Sequence, residues 1–440
     1  MVNSNSTSTH SGHKKISRGV TRRGLMKGLA AAGGLAAGSG GISGFPTLWA
    51  QDIKNVVLRQ FGTGISAQPA VMDKVKQDLG FTVQMAGLDS NNIIQRAITQ
   101  PDSYEIADIE FWIAKKVFIA GNMQAIDTGK IALYDKVVPI FTTGKLTPES
   151  KIAQGTPPHT VGYMTGQNSR EFAKGQTEWA SIVPLLYNCD TLAIRPDLVK
   201  RPVTHWRDLV SPDFKGKAAL VNIPNIGIMD IAMVLESAGL IKYGDKGNMT
   251  KDEIDKTFEK LSEFKRAGQF RAFWQTFQES VNLMAAGETV ISSMFSEAVT
   301  AVRSQGVPCT YQPMEEGYRS WGSGLGLSAN VKGIALDAAY EYLNWCLSGW
   351  VGARLGRQGY YAAVLETTKA NMSPNEWGYW YEGKPTSEDI LSPTGAVIDK
   401  PGAVRDGGSY YTRMGNIACW NAVMDEDRYL VRKWNEFVAT

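Results

Sequence analysis

From Asn55 onward the chain alternates short apolar runs, loops rich in Gly, Ser, Pro and Asp, and stretches of helical periodicity, and no other feature restricts the fold as tightly. The first unit has the run Val56-Val57-Leu58, the loop Gly62-Thr63-Gly64-Ile65-Ser66 and a helical stretch from Pro69 to Leu79. A second strand is expected from Thr82 to Met85. Asp89-Ser90-Asn91 reads as a helix start, because Asp and Ser side chains cap exposed backbone amides ahead of the apolar positions Ile93, Ile94, Ala97 and Ile98. Ile106-Ala107-Asp108-Ile109 reads as a further buried strand. Strands alternating with helices make a mainly parallel sheet covered on both faces. Ligands of such sheets sit beyond the carboxyl ends of the strands, so the loops beginning at Gly62, Asp89 and Glu110 are expected to converge on one rim.

A second series starts near Trp179, with the run Ile182 to Tyr187, the segment Trp206-Arg207-Asp208-Leu209 and a strand from Ala218 to Asn222. The stretch Asp252 to Ala267 carries Ile254, Phe258, Leu261 and Phe264 at helical spacing, a pattern of core packing. Thr289 to Phe295, Trp321 to Leu327 and a helix from Ala335 to Leu347 then suggest that the chain recrosses between two lobes. The boundaries expected are 51–178 with 296–340 for the first lobe, and 179–295 with 341–440 for the second, which carries a C-terminal extension. The polar segment Ser373 to Gly408 is expected to be a surface excursion.

The first 50 residues contain Lys14, Lys15, Arg18, Arg22, Arg23 and Lys27, no acid, and a Gly/Ala-rich stretch from Gly28 to Gly44. This is the layout of an export signal, and Thr21-Arg22-Arg23-Gly24-Leu25-Met26-Lys27 resembles the twin-arginine type. The apolar part is shorter than the roughly 20 residues a membrane span needs. Residues 1–50 are therefore read as a leader, with cleavage expected after Ala50 and the mature protein in the periplasm.

Of 46 Lys and Arg, six fall in the leader and none of the 43 acids does, so the mature chain carries a net charge of about −3. No basic run follows the leader, which excludes the clustered positive field that nucleic-acid binding requires. The remaining stretch, roughly 390 residues, exceeds what one core organises and favours two lobes. Cys189, Cys309, Cys346 and Cys419 show no zinc spacing, and both disulfides and free buried thiols are compatible with them. His159 and His205, the histidines beyond the leader, sit in no metal or nucleophile motif, so neither a metal site nor a catalytic residue is assigned and an enzyme is the weaker reading. Gly322-Ser323-Gly324-Leu325-Gly326 lacks the lysine of a phosphate loop and reads as strand and hinge packing.

Five segments in order, Gly87 to Asn91, Ala107 to Trp112, Pro184 to Leu192, Thr204 to Leu209 with Phe214 to Lys217, and Trp321 to Asn330, resemble those of extracellular solute-binding proteins of the spermidine/putrescine type. The tail, with Arg405 to Tyr410, Arg413 to Ile417 and Trp434 to Phe437, resembles a longer-tailed branch. The resemblance implies a type II periplasmic-binding fold with crossover hinge strands, no cofactor, and a monomer that delivers a small-molecule ligand to an inner-membrane ABC permease. It also implies hinge closure around a small organic cation, with aromatic rings along the ligand's methylenes and carboxylates on its ammonium groups.

Carried over by position, Phe111 and Trp112 end the third strand where a ligand-facing aromatic belongs, and Phe295 and Glu297 occupy the recrossing. Trp321 and Tyr360 supply further walls, and Trp179 and Asn225 complete the set with Thr63, Ser66 and Ser90. For Trp112 and Trp179 the alternative is core packing. Two departures bear on the ligand: the Gly62 to Ser66 loop lacks the expected aromatics, and Asn222 to Gly227 lacks the expected acids. Thr63, Ser66, Ser90, Arg405 and Arg413 therefore support an alternative, a zwitterionic or anionic metabolite.

Overall fold

The computed structural model describes residues 53–439, so the expected leader lies outside the described residues. The first units fold as strand β1 (Val57–Gly62), helix α1 (Pro69–Leu79), β2 (Thr82–Gly87), α2 (Ser90–Thr99) and β3 (Ile106–Glu110). Pro69 starts α1, and Gly80, at φ +81°, ends it in the left-handed region with its amide on Lys76 O. The Asp89 carboxylate caps α2 by accepting from the amides of Asn91 and Asn92. Both β2 and β3 pair with β1 in parallel, in registers that include Gly62↔Gly87 and Gly62↔Asp108.

The remaining principal strands are β4 (Val183–Ile194), β5 (Ala218–Val221), β6 (Phe270–Trp274), β7 (Ile291–Met294) and β8 (Tyr318–Ser328). The sheet runs β6-β5-β7-β4-β8-β3-β1-β2. Its two ends are parallel, as expected, and its centre is the antiparallel pair β4 and β8. Every residue of both central strands is buried. The N-terminal half of β8 pairs with β4 around Arg319↔Asp190, while its C-terminal half pairs antiparallel with β3. The far end of β4 pairs with β7. These two strands are the crossovers that join the lobes. The glycine-rich run lies within β8, where a Cβ on Gly324 would stand 2.2 Å from Val183 O, beside a register shift.

The longer helices that follow are α3 (Pro224–Ser237), α4 (Lys251–Arg266), α5 (Phe277–Ala285), α6 (Ser296–Arg303), α7 (Gly333–Leu347) and α8 (Asp427–Ala439). In α4, Ile254, Phe258 and Leu261 are buried as the periodicity predicts, and a Thr250/Glu253 capping box starts the helix.

Apolar clustering departs from the expected lobe boundaries. Ala298, Val299 and Val302 of α6 pack with Val281, Met284 and Met294 beside the second lobe's strands, although 296–340 was expected in the first lobe. Tyr342, Leu343 and Trp345 of α7 pack with Leu58 and Val75 of the first lobe, as do Tyr379, Tyr381 and Tyr410, although 341–440 was expected in the second. Leu430, Trp434 and Phe437 of α8 do join the second lobe. An amphipathic helix records that it has an apolar face but not which sheet will cover it.

The segment 373–408 is more than a surface excursion: Tyr379, Trp380, Tyr381, Ile390 and Arg405 are buried. All four cysteines are buried and unpaired. Among the described residues no helix is long and apolar enough to cross a membrane.

Candidate functional site

The carboxyl ends of the parallel strands meet at one cleft of about 750 Å³. After β1 it is lined by Thr63, Gly64 and Ile65, and Leu88, Asp89 and Ser90 follow from β2. Glu110 closes β3. The second lobe contributes Ile223 and Ile226 after β5, Gln275, Thr276 and Phe277 after β6, and Phe295 and Glu297 after β7. Asp190 and Trp321 come from the crossover strands, and Arg354, Gln358 and Tyr360 from the segment after α7.

Six of the expected site residues therefore come together: Thr63, Ser90, Phe295, Glu297, Trp321 and Tyr360. Five do not line the cleft. Ser66 is buried beneath the first loop, where its hydroxyl donates to the Asp108 carboxylate. Phe111 and Trp112 enter a 3-10 turn immediately after β3, which swings them into the core, and Phe111 packs on Phe141 at 5.3 Å. Trp179 is half-buried in a short strand paired with Ile126–Asp127. Asn225 donates from Nδ2 to Asp427 Oδ1 at 3.0 Å, tying α3 to α8.

The cleft is acidic. Asp89 spends its carboxylate on the α2 amides, and Asp190 lies 3.3 Å from Arg319, which also pairs with Asp230 at 2.6 Å, all fully buried. Glu110 and Glu297 have no ion-pair partner among the described residues. Burial pushes the Glu110 carboxyl up to about 7, with Trp112 and Arg319 opposing. Burial, reinforced by Asp190, pushes Glu297 up to about 8 against its own backbone amide and the Tyr360 hydroxyl. Both shifts express a missing counter-charge. Trp321 and Tyr360 meet edge to face at 5.8 Å, and Phe295 meets Trp274 likewise at 5.1 Å. The cation among the lining residues is Arg354, which donates from Nε to Gln68 Oε1 at 2.9 Å.

Arg405 and Arg413 do not line the cleft; they hold the tail. Arg405 donates to Trp380 O at 2.5 Å and Gly359 O at 2.6 Å and stacks over Tyr361, while Arg413 donates to Asp406 O and stacks over Tyr311.

Of the lining residues the sequence reading did not name, Asp190 carried a signal: an acid inside a twelve-residue, fully buried strand. Phe277, Asn421, Arg354 and Gln358 carried none, being brought in by segments remote in sequence.

Two α/β lobes, two crossover strands and a cleft at the strand carboxyl ends define a type II periplasmic-binding architecture. The chain belongs to the bacterial extracellular solute-binding protein family, whose sequence profile matches residues 70–377. No curated protein sequence matches it. Among solved structures it is similar to the spermidine/putrescine ABC transporter substrate-binding protein PotD of Streptococcus pneumoniae, at 16% identity and a TM-score of 0.58, over 87% of this chain and 97% of that one. It is likewise similar to MotA of A. tumefaciens B6, solved with glucopine, at 14% identity and a TM-score of 0.54, over 87% and 99%. The Atu4243-GABA receptor matches at 16% identity and a TM-score of 0.54, over 87% and 97%. At these identities the likeness establishes the fold.

Proposed function

We propose that this chain is the periplasmic substrate-binding component of an ABC importer, exported by the twin-arginine route, and that it binds a small organic cation in the interlobe cleft as a monomer. The observation that carries the ligand class is the pair Glu110, half-buried at the end of β3, and Glu297, buried in α6, two carboxyls with no ion-pair partner among the described residues, beside the rings of Trp321, Tyr360 and Phe295. A cation entering there recovers the cost of burying the carboxylates and gains from the aromatic faces. The cleft volume falls within the roughly 300–1,000 Å³ of small-molecule sites.

Glu110 and Thr63 belong to one lobe and Glu297 and Phe295 to the other, so a ligand touching all four favours the closed arrangement by its differential affinity. The closed shape is what a permease would recognise. A second reading, a zwitterion, rests on Arg354, which lines the cleft with no acidic ion-pair partner among the described residues and could take a carboxylate.

A thermal-shift panel tests the reading. At about 100 times Kd a bound ligand adds about 2.7 kcal/mol, a rise of several degrees in Tm. Stabilisation by putrescine, spermidine or choline supports the cation reading, and stabilisation confined to betaine and 4-aminobutyrate supports the zwitterion. A panel in which carboxylates alone stabilise the protein refutes both.

A further inference from the structure

The family profile ends at residue 377, yet residues beyond it reach the cleft: Ser392, Pro393 and Thr394 line it. They form the tip of a hairpin whose strands are Ile390–Leu391 and Val397–Asp399. The tip is locked. Ser392 N donates to Ala396 O at 2.8 Å and Gly395 N to Ser392 O at 2.9 Å, with Gly395 at φ +85° supplying the left-handed turn. The base is locked as well. Ile390 and Ile398 are buried in the first lobe's core, and Asp399 accepts from the Tyr379 hydroxyl and pairs with Arg303 Nη1 at 3.0 Å. Arg303 is the last residue of α6, so the hairpin is pinned at that end of the helix.

Helix α6 supplies the measure of the cleft. Glu297 lies in its first turn, and Thr300, Ala301 and Ser304, also cleft-lining, follow at the helical spacing that keeps them on one face. Glu297 to Ser304 spans seven residues, about 10 Å along the axis. The residues that line the end near the hairpin are Ser392, Thr394, Thr300 and Ser304 together with Arg354, and none of these is an acid.

We infer that the 390–399 hairpin is a third wall of the ligand cleft, closing a polar, non-acidic subsite about 10 Å along α6 from the Glu297 carboxyl. It sets the length of ligand accepted and favours one whose end remote from the cation carries hydroxyl, carbonyl or carboxylate oxygens. This rests on the cation reading for the anchored end; the wall itself rests on the hairpin's position alone.

Two full-chain variants test it: Thr394→Trp, which narrows the subsite, and replacement of 392–396 by an Asn-Gly turn, which opens it and suits a two-residue hairpin. Kd values for putrescine, spermidine and 4-aminobutyrate are compared by calorimetry, and hydrogen exchange is followed at Thr300–Ser304. Thr394→Trp is expected to weaken spermidine at least tenfold more than putrescine. The shortened turn is expected to remove that discrimination, weaken 4-aminobutyrate, and speed exchange at Thr300–Ser304. Probe ratios within twofold of the parent in both variants, with unchanged exchange, would overturn the inference. If no probe binds any form, the cation reading fails, and the exchange data decide the hairpin: faster in the shortened variant supports it, unchanged overturns it.

Discussion

Replacing Glu297 by glutamine removes the charge on which the cleft's proposed ligand class depends while keeping the side chain's size. Burial moves this carboxyl from its ordinary 4.5 up to about 8, which at about 1.4 kcal/mol per pH unit puts several kcal/mol on its charged form in the ligand-free protein. A cation that ion-pairs with it offsets that penalty, and truncating one partner of such a buried pair costs about 2–5 kcal/mol, roughly 30- to several-thousand-fold in Kd. The sign with pH follows. Below about 7 the carboxyl holds its proton and must lose it to bind a cation, so affinity rises with pH up to about 8 and then levels. Ligand-free stability runs the other way: the folded protein holds a proton that the unfolded chain releases near 4.5, so the contribution of Glu297 is full below 4.5 and is lost as pH rises through about 8.

Titration calorimetry in buffers of different ionisation enthalpy, from pH 6 to 9, should show proton release on binding near pH 7 in the parent. Glu297→Gln should lose affinity by at least 30-fold and release fewer protons, the remainder coming from Glu110, held at about 7. The ligand-free variant should show a flatter decline of Tm between pH 5 and 8. Unchanged affinity together with an unchanged pH profile would refute the reasoning.

Two further substitutions probe the frame around the cleft. Arg405→Met leaves the Trp380 and Gly359 carbonyls without their buried charged donor and should cost about 2–4 kcal/mol in denaturant unfolding while leaving Kd within twofold, because Arg405 anchors the tail and does not line the cleft; a large loss of affinity at unchanged stability would contradict this. Gly324→Ala drives a Cβ into Val183 O on the other crossover strand, where backbone cannot step aside, and should lower Tm by several degrees; an unchanged Tm would mean that the two strands are not held together there.

The sequence by itself determined the local pieces and their chemistry. Asp89 ahead of Ile93 and Ala97 dictates a capped amphipathic helix, the apolar runs dictate strands, and the strand-loop-helix order places loops such as Gly62 to Ile65 at the ligand rim, because each follows from backbone and side-chain physics within a few residues. Thr63 and Ser90 were legible as cleft residues for that reason, and Phe295 and Glu297 through what the family resemblance implies for the recrossing. Tertiary structure decided what depends on a partner distant in the chain. Phe111 and Trp112 stand next to Glu110 in sequence, yet a single 3-10 turn sends their rings into the core while the carboxylate stays at the cleft. The apolar faces of α6 and α7 fit either lobe on periodicity alone, and packing against α5 in one case and α1 in the other assigned them. Arg405 and Arg413 could have met a ligand anion, and buried carbonyls and aromatic faces took them instead. The hairpin tip at 392–394 is held at the cleft by the Asp399–Arg303 pair, the Tyr379 hydroxyl and the burial of Ile390 and Ile398, contacts that no local pattern encodes, since hydrophobic burial and charge pairing act between whichever groups the completed fold brings together.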